Sequence, residues 1–475
     1  MSAGQAGGGQ QVSTRLLLVV LISAVVIAVM NSSMVNVAVP VIREDFGASE
    51  AQVGWVITGY LLIYAVGIPL YGRASDVFSL RWAFCLGLLV FALGSLLCAF
   101  APNLPLLVFG RIVQATGAAA IPALASASVA KLLPPGQRGT ALGLIVSSVG
   151  VGAAIGPVVG GTLQQLGGWH SLFYATLVLT LILIPGAFYA LPDTEPAGDR
   201  HFDVPGGILL GLAAGLFLFG ITQGQGAGFA SPSSWGSFVG AGLSAIGFAW
   251  RITTAGHPFV SPALFRDRAY VAAVIVGYFS MLANVSCLVL VPLLVSQTNG
   301  LSPAATGLVL TPGAIALAIL SPVAGRLSDR IGFKTLIYAG LVIMLLSVLF
   351  ISAFAAGGTP YVVAIGMLGV GTGFALTNSP NVNAAAAALS QEEAGVGLGI
   401  FNGLFFLGGG TGPAVVGAFL AARREADAGA IDPLYQLGAA PFSDAFLLLS
   451  VALLLALGAA LWLPDGKKAQ IVPEE

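Results

Sequence analysis

Charge is scarce in this sequence of 475 residues, where lysine and arginine together number 18 and aspartate and glutamate 19. Charged residues make up 8% of the chain, against about 25% in soluble globular proteins. So few charges cannot cover a water-exposed surface. The net charge is −1 and no basic cluster is longer than Lys467-Lys468. Because nucleic-acid binding requires a dense basic surface, we expect no nucleic acid as a partner.

Residues suited to metal binding or catalysis are also few. The three cysteines, Cys85, Cys98 and Cys287, lie in apolar runs without the spacing of a disulfide framework or a zinc site. The three histidines are scattered at the edges of apolar runs, whereas a membrane-embedded enzyme would cluster such groups at one depth. We therefore expect no metal, no cofactor and no enzymatic activity.

Long apolar runs dominate the rest of the chain. Hydrophobic residues make up 57% and glycines number 64, and glycine lets helices pack closely in lipid. A helix needs about 20 apolar residues to cross a bilayer. Runs that meet this requirement lie at 16–42, 53–72, 82–101, 105–130, 139–166, 170–191, 205–224, 235–253, 269–296, 303–324, 335–355, 360–388, 394–421 and 444–463. These runs predict an all-α integral membrane protein with fourteen transmembrane helices.

Lysine and arginine fall unevenly on the two sides of the predicted spans. With the N-terminus inside, 14 of them are cytoplasmic, Arg43, Arg423 and Arg424 are outside, and Arg111 lies within a span. Cytoplasmic loops of membrane proteins carry this excess of positive charge. The bias predicts a multi-pass protein of the plasma (inner) membrane with both termini in the cytoplasm.

The sequence contains an internal repeat. GRASD at residues 72–76 recurs as GRLSD at 325–329, an offset of 253, and GPVVG at 156–160 recurs as GPAVVG at 412–417. Two parallel halves of this kind are typical of transporters. The predicted divisions are a cytoplasmic tail (1–14), a six-helix bundle (15–191), a linker with two extra helices (192–268), a second six-helix bundle (269–464) and a cytoplasmic tail (465–475).

Both copies of the GRxSD sequence are predicted to lie in the short loop after the second span of their half. Glycine there would let the helix end tightly, and aspartate could cap a helix N-terminus or pair with arginine. One copy could be an ordinary basic loop, but two at matched positions predict a role in conformational change. The residues concerned are Gly72, Asp76 and Arg81 in the first copy and Gly325, Asp329 and Arg330 in the second.

The fifth predicted span carries glycines at i, i+4 and i+8 with a proline among them. Such glycines share one helical face and let another backbone approach closely, while proline bends a helix. The pattern predicts a gating role, with generic tight packing as the alternative. The residues are Gly152, Gly156, Pro157 and Gly160, and their counterparts in the thirteenth span are Gly412 and Pro413.

Arg111 lies about six residues inside the fourth predicted span, roughly 9 Å from its outer end at the rise of an α-helix. An unpaired arginine at such depth costs about 2.5–3.5 kcal/mol. Its side chain could extend to the outer interface instead, but the matching position of the second half is Met367. Arginine in only one half predicts a functional role, with Gln114 as a candidate hydrogen-bond partner.

Other polar residues within the spans are amides and hydroxyls, and no aspartate or glutamate lies clearly inside a span. Hydrogen bonds between helices would explain each of them singly. Collectively they could line a central cavity that binds a substrate or a coupling ion. The candidates, with Arg111, are Asn31, Tyr60, Gln114, Asn284, Asn378, Asn381 and Asn402.

Together, residues 72–81, 111–117 and 150–161 resemble motifs of the major facilitator superfamily, in particular its fourteen-span drug:proton antiporter branch. Residues 31–40 and 55–62 are similar to the first two spans of that branch. The resemblance implies an alternating-access pump that exports lipophilic, often cationic compounds in exchange for protons. Many members of the branch carry aspartate where this chain has Asn31, which argues against coupling through a buried acid.

Two functions within transport remain open on the sequence alone. The first is efflux of small amphipathic compounds, with protons as the coupling ion. The second is a facilitator or uptake carrier for a neutral or anionic solute, since Arg111 with neighbouring amides would suit an anion. In either case we expect a monomer whose partners are a small-molecule substrate and the lipid bilayer.

Overall fold

The computed structural model describes residues 14–193, 203–301, 303–426 and 429–464. In these ranges the chain is helical, without strands, as predicted. The predicted cytoplasmic tails lie almost entirely outside the described residues, as does the linker segment 194–202.

Fourteen long helices follow one another in the described residues, which confirms the predicted number. Before the insertion they are α1 (Thr14–Asp45), α2 (Glu50–Val77), α3 (Leu80–Ala99), α4 (Leu104–Leu132), α5 (Pro135–Gly167) and α6 (His170–Ala190). The inserted pair is α7 (Val204–Ala227) and α8 (Pro232–Thr254), followed by a short 3₁₀ helix (Pro262–Arg266). The remaining helices are α9 (Arg268–Asn299), α10 (Pro303–Ile331), α11 (Phe333–Phe350), α12 (Pro360–Ala387), α13 (Ala394–Glu425) and α14 (Ala440–Ala460).

Thirteen of these helices are long and apolar enough to cross a membrane, and α8 is the exception. Glycine, serine and tryptophan take up much of α8, which lowers its mean hydropathy although it has 23 residues. At 1.5 Å per residue this length still spans about 34 Å, enough for a hydrocarbon core of about 30 Å.

Polar side chains start several helices where the apolar runs begin. The side chain of Asn103 accepts a hydrogen bond from the backbone N–H of Leu106 at the start of α4 (3.0 Å). Ser49 forms a capping box with Gln52 at the start of α2. These residues satisfy backbone donors that the first turn of a helix leaves unpaired.

Two of the predicted loops are in fact helical. Residues 72–76 lie in the last two turns of α2, and residues 325–329 lie in the last two turns of α10. Two residues (78 and 79) separate α2 from α3, and one residue (332) separates α10 from α11. The prediction that Gly72 and Gly325 end their helices is therefore wrong. The apolar runs end earlier than the helices because the final turns pack against another helix rather than against lipid.

We call the end of the bundle at which α1 begins the inner face and the opposite end the outer face. Exposed aromatic side chains mark both ends. Trp82 and Trp250 lie near the inner face and are 59% and 67% exposed, and Trp235 and Tyr361 lie near the outer face at 55% and 83%. Aromatic residues concentrate at both membrane–water interfaces, so these positions agree with helices that cross a bilayer.

Glycine allows equivalent helices in the two halves to pack closely. A methyl group at Gly156 of α5 would lie 2.5 Å from the Cβ of Ser33 in α1, and one at Gly160 would lie 2.9 Å from the Cα of Met34. Likewise, a methyl group at Gly412 of α13 would lie 2.5 Å from a carbonyl oxygen of α9. The α1–α5 and α9–α13 pairs are thus held together by the glycines that the sequence aligns. Gly152 contacts α1 on the same face of α5.

Candidate functional site

Asp76 joins the two halves of the molecule at the inner face. Its carboxylate accepts hydrogen bonds from the backbone N–H groups of Gly395 (3.0 Å) and Val396 (2.7 Å) at the start of α13. It also accepts one from the Nζ atom of Lys131 in α4, at 2.7 Å. The side chain of Asp76 is 2% exposed. A carboxylate is favoured here because the first N–H groups of a helix are unpaired and carry partial positive charge.

Asp329 makes the equivalent contact with the opposite pair of helices. From α10 its carboxylate accepts hydrogen bonds from the backbone N–H groups of Gly139 and Thr140 in the first turns of α5, both at 3.0 Å. The hydroxyl of Thr140 donates a third at 3.2 Å. Asp76 thus caps a helix of the other half, as its residue type allows, whereas Asp329 binds N–H groups of the second turn of α5 and does not cap that helix.

Small residues allow the helices to cross closely beside each aspartate. A methyl group at Gly72 would lie 2.5 Å from the carbonyl oxygen of Gly395 and 2.7 Å from the Cα of Gly399. A methyl group at Gly139 would lie 2.6 Å from the carbonyl oxygen of Gly325. The α2–α13 and α5–α10 interfaces are therefore in backbone contact near the inner face.

Hydrogen bonds between the two halves, within the described residues, lie toward the inner face or near mid-depth. Beyond the two aspartates they include the hydroxyl of Ser147, which donates to the carbonyl of Ala318 at 2.8 Å. Asn402 donates to the hydroxyl of Ser126 at 3.5 Å. The structure is thus closed at the inner face.

The other basic and proline residues of the repeated sequences have separate positions. Arg81 donates from Nε to the carbonyl of Leu191 at 2.7 Å, which ties α3 to the end of α6 within one half. Arg330 is exposed at the inner end of α10, and Pro157 is exposed on α5. None of these three residues joins the halves through the hydrogen bonds of the described residues.

Arg111 is 1% exposed and does not extend to the outer interface. Its guanidinium donates to the side-chain oxygens of Asn31 (3.0 Å) and Gln114 and to the carbonyl of Val56 (3.2 Å). The ring of Tyr60 covers it, with the guanidinium carbon 3.9 Å from the ring centroid. Each contact disperses the charge within a low-dielectric interior.

The partners of Arg111 are themselves held by further hydrogen bonds. Asn31 donates to the hydroxyl of Thr176 at 3.0 Å, and Gln114 donates to the hydroxyl of Ser95 at 2.7 Å. The network therefore connects α1, α2, α3, α4 and α6 inside the N-terminal half. It surrounds the guanidinium with protein groups of the same half.

A cavity of about 480 Å³ lies between the halves, next to this network. Helices α1, α2 and α5 of the first half, α9 and α13 of the second half, and the inserted α7 form its walls. Tyr60 contributes to the wall, so its ring separates Arg111 from the cavity. Most of the lining is apolar, and the hydroxyl groups come from Ser32, Ser33, Thr58, Tyr60, Tyr64 and Thr222.

The predicted amides of the second half do not line this cavity. Asn381 is fully buried and donates to the carbonyl of Ala273 in α9 at 2.9 Å. Asn378 is buried on the same helix, 6% exposed. Asn284 is half-buried on α9 next to Val285, which does line the cavity. Of the predicted substrate residues, only Tyr60 is therefore part of the cavity wall.

Comparison with known proteins assigns the family. A sequence model of the Major Facilitator Superfamily matches residues 21–413 and, in a second alignment, residues 273–475. The chain belongs to the Major Facilitator Superfamily. The overlapping matches cover both halves of the repeat. The protein is accordingly a multi-pass membrane transporter and not an enzyme.

Relatives and solved structures of this superfamily agree with the assignment. Multidrug resistance protein Stp of Mycobacterium tuberculosis is 30% identical over 398 residues, which cover 83% of this chain and 73% of that protein. Riboflavin transporter RibZ of Clostridioides difficile is 27% identical over 78% of this chain and 81% of its own length. The structure of the human organic anion transporter MFSD10 (TETRAN) superposes with a TM-score of 0.69 at 15% identity, covering 94% of this chain and 99% of that one.

Sequence reasoning missed several charged contacts of this transporter. Lys131 was assigned only to a basic loop, and nothing in the sequence indicated its bond to Asp76. The expectation that no carboxylate lies within a span is also wrong, because the helices α2, α10 and α14 extend far enough to include Asp76, Asp329 and Asp444. The buried carboxylate of Asp444 pairs with Arg423 at 2.6 Å near the outer face. The sequence signal that could have indicated this pair is an arginine at the end of one helix, α13, and an aspartate at the start of the next, α14.

A metal site is not evident in the structure. Within the described ranges, no group of three or more histidine, cysteine, aspartate or glutamate side chains is placed to hold an ion. The three cysteines are buried and unpaired with one another.

Proposed function

We propose that this transporter exports lipophilic, amphipathic compounds by alternating access. The observation that carries the proposal is the cavity between the halves, whose walls are apolar with hydroxyl groups as the main polar contacts. Such a lining suits a molecule with a large apolar surface and few fixed polar groups. A small anion would require charged partners, and none is present in the wall among the described residues.

The proposed moving units are residues 15–191 and 269–464, with residues 192–268 as the insertion. The inner face is proposed to be cytoplasmic, on the basis of the basic residues. Asp76 and Asp329 would hold the state that is closed at the inner face, and both contacts would break when the cavity opens to the cytoplasm. The functional unit is proposed to be a monomer.

Arg111 is proposed to organise the N-terminal half rather than to bind substrate. Its side chain is occupied by Asn31, Gln114 and the ring of Tyr60. An uptake carrier for anions would need that guanidinium in the cavity, so the arrangement favours efflux over the alternative. The name of the Mycobacterium tuberculosis relative, a multidrug resistance protein, supports the same direction.

Protons are the proposed coupling ion. Arginine does not release a proton at physiological pH, and the cavity lining contains no carboxylate among the described residues. The proton is therefore proposed to act at Asp76 on the inner rim or to travel with the substrate itself. If the proton travels with the substrate, the efflux of a permanently charged dye, which cannot carry a proton, should depend only weakly on a pH gradient. If the proton acts at Asp76, any dependence should be lost in Asp76→Asn.

Two measurements test the function. A drug-sensitivity panel in a host that lacks its own pumps should show resistance to lipophilic compounds when the protein is expressed. Dye efflux from everted vesicles at fixed membrane potential, with and without a pH gradient, tests coupling. Absence of resistance to every compound contradicts efflux, and strong proton dependence that survives Asp76→Asn contradicts the coupling scheme.

Reporter fusions test the orientation. A reporter placed after Gly300 should be outside, and one placed after Glu393 should be cytoplasmic. The same location for both would contradict fourteen spans with cytoplasmic termini.

A further inference from the structure

A second apolar pocket lies beside the α2–α13 interface, on the side covered by the inserted helices. Its volume is about 470 Å³, within the range of about 300–1,000 Å³ that small-molecule sites occupy. The wall includes Pro69 of α2, Ala214 of α7, Phe248 of α8, Phe265 of the 3₁₀ helix and Ile400 of α13. We call this space the insertion pocket.

The insertion pocket lies at the depth of the inner membrane interface. Three residues of its wall, Ala249, Thr253 and Phe265, are exposed on the outside of the bundle, so the pocket is accessible from lipid. Trp250, near the end of α8, is 67% exposed and is of the kind that marks the headgroup region. The 3₁₀ helix that contributes Phe265 immediately precedes the inner end of α9.

Two arginines lie at this end of the pocket, one in its wall and one two residues further along the chain. Arg266 is part of the pocket wall, and Arg268 begins α9. In the part of the chain that the structure describes, neither makes a hydrogen bond or an ion pair, and both are exposed. Arg251 differs, because it pairs with Asp203 at 3.0 Å.

The carboxylate between these two arginines is already engaged. Asp267 accepts hydrogen bonds from the backbone N–H groups of Ala269 (2.7 Å) and Tyr270 (3.1 Å) and so caps α9. Residues 266–268 therefore carry a net charge of +1 next to an apolar space, with Arg266 in the pocket wall and Arg268 two residues further along the chain. This combination matches a molecule with an apolar chain and an anionic head.

We propose that the insertion pocket binds an anionic phospholipid of the inner leaflet. One acyl chain occupies the apolar space, and the phosphate lies against Arg266 and Arg268. Basic pockets between transmembrane helices on the cytoplasmic side are suited to anionic headgroups. Cationic amphiphiles are disfavoured by the same two charges. The site is separate from the central cavity, and the proposal does not depend on what that cavity exports.

The bound chain would contact both halves of the transporter. Pro69 belongs to α2 and Ile400 to α13, and these helices are joined by the Asp76 contact. A ligand that fits the pocket only while these two walls are together stabilises the conformation closed at the inner face. The inserted helices α7 and α8 thereby acquire a role, because they form the rest of the pocket.

The test uses the purified full-length protein with phosphatidylglycerol or phosphatidylcholine of identical acyl chains. Native mass spectrometry measures lipid retained, and thermal unfolding measures stabilisation. We expect preferential retention of phosphatidylglycerol and a higher unfolding temperature. Arg266→Gln and Arg268→Gln should each weaken retention about fivefold, the factor that one arginine near an anionic surface contributes. Arg326→Gln, an exposed arginine elsewhere on the inner face, should leave retention unchanged.

A second set of variants tests the chain site. Ala214→Phe fills the pocket and should abolish retention, whereas Ala213→Phe on the same helix, outside the pocket wall, should not. Ala249→Phe, at the lipid-exposed edge, replaces Ala214→Phe if that variant does not fold. Equal retention of phosphatidylglycerol and phosphatidylcholine overturns the proposal. So does unchanged retention of phosphatidylglycerol in the double variant that combines Arg266→Gln with Arg268→Gln. If glycerol phosphate displaces the bound lipid as well as phosphatidylglycerol does, the acyl-chain site is contradicted. If an exported dye displaces the lipid, the pocket is a substrate site and the proposal is overturned.

Discussion

The two halves of the transporter make the same contact at the inner face with different chemistry. The two aspartates occupy matching positions of the repeat, 253 residues apart. Asp76 accepts from the N–H groups of residues 395–396 and Asp329 from those of residues 139–140, and these two sites also match, at an offset of 256. Among the residues that the structure describes, Asp76 pairs with a cation, Lys131, at 2.7 Å, and Asp329 does not. The residue aligned with Lys131 is Ala387. The repeat therefore conserves the geometry of the contact but places an ion pair in one copy.

The halves differ in the same direction deeper in the membrane. The network around Arg111 connects five helices of the first half, whereas the counterpart of Arg111 is Met367, a buried apolar residue of α12. At both of these matched positions the first half has a charged residue and the second half an apolar one, whereas the buried pair of Arg423 and Asp444 in the second half lies elsewhere, between α13 and α14. We infer that the first half is the more rigid body and that the α5–α10 contact is the weaker of the two.

The largest expected effect comes from Arg111→Met, which reproduces the second half's residue. It leaves the side-chain oxygens of Asn31 and Gln114 buried without their donor, and each such group costs about 1–3 kcal/mol. Thermal unfolding in detergent should show a marked loss of stability. Met367→Leu is the matched control and should change the unfolding temperature little. Comparable losses for the two variants would contradict the asymmetry.

Asp76→Asn should give the next largest effect, on transport rather than on folding. It removes the charge that Lys131 and two backbone N–H groups share, and hydrogen bonds to charged groups contribute about 1.5–3 kcal/mol each. The inner face should open more often and efflux should slow severalfold or more. Spin labels on the inner ends of α2 and α13 would report the separation. Lys131→Gln added to Asp76→Asn should have a smaller effect than the sum of the two single changes.

Asp329→Asn should be milder, because the contact it weakens has no ion pair among the described residues. The remaining amide oxygen can still accept one N–H group, so we expect a loss of about 1 kcal/mol from the closed state. Efflux should fall less than in Asp76→Asn at equal expression. Equal efflux rates for Asp76→Asn and Asp329→Asn would show that the ion pair with Lys131 does not contribute to the stability of the closed state.

The smallest effect, and a gain, is expected for Ala387→Lys. This exposed position follows Asn383 by one helical turn, and Asn383 donates to Ser328 beside Asp329 at 3.1 Å. A lysine there could reach Asp329 and stabilise the closed state by up to about 1 kcal/mol, as partly exposed pairs do. The same spin-label measurement, now across α5 and α10, should show a narrower distance distribution. As a control, Ala387→Lys combined with Asp329→Asn should leave the α5–α10 distance distribution unchanged, which would assign the gain to a pair between Lys at position 387 and Asp329.

Much of the fold could be predicted because a bilayer leaves few choices. Backbone groups in lipid must be paired within the span, so long apolar runs become helices, and fourteen runs gave fourteen helices. The ends were less predictable. Gly72 and Asp76 were placed in a loop because polarity rises there, but the helix continues where α13 covers it.

The sequence by itself determined the membrane environment, the number of helices, the repeat and the residues that were worth examining. Only the tertiary structure decided what those residues do, because their partners are far apart along the chain. Asp76 binds the N–H groups of residues 395–396, more than 300 residues away. Arg111 binds Asn31, 80 residues away, and is buried among protein groups. Side chains at such separations are brought together by helix packing, which depends on glycine contacts that a single sequence does not assign to a neighbour.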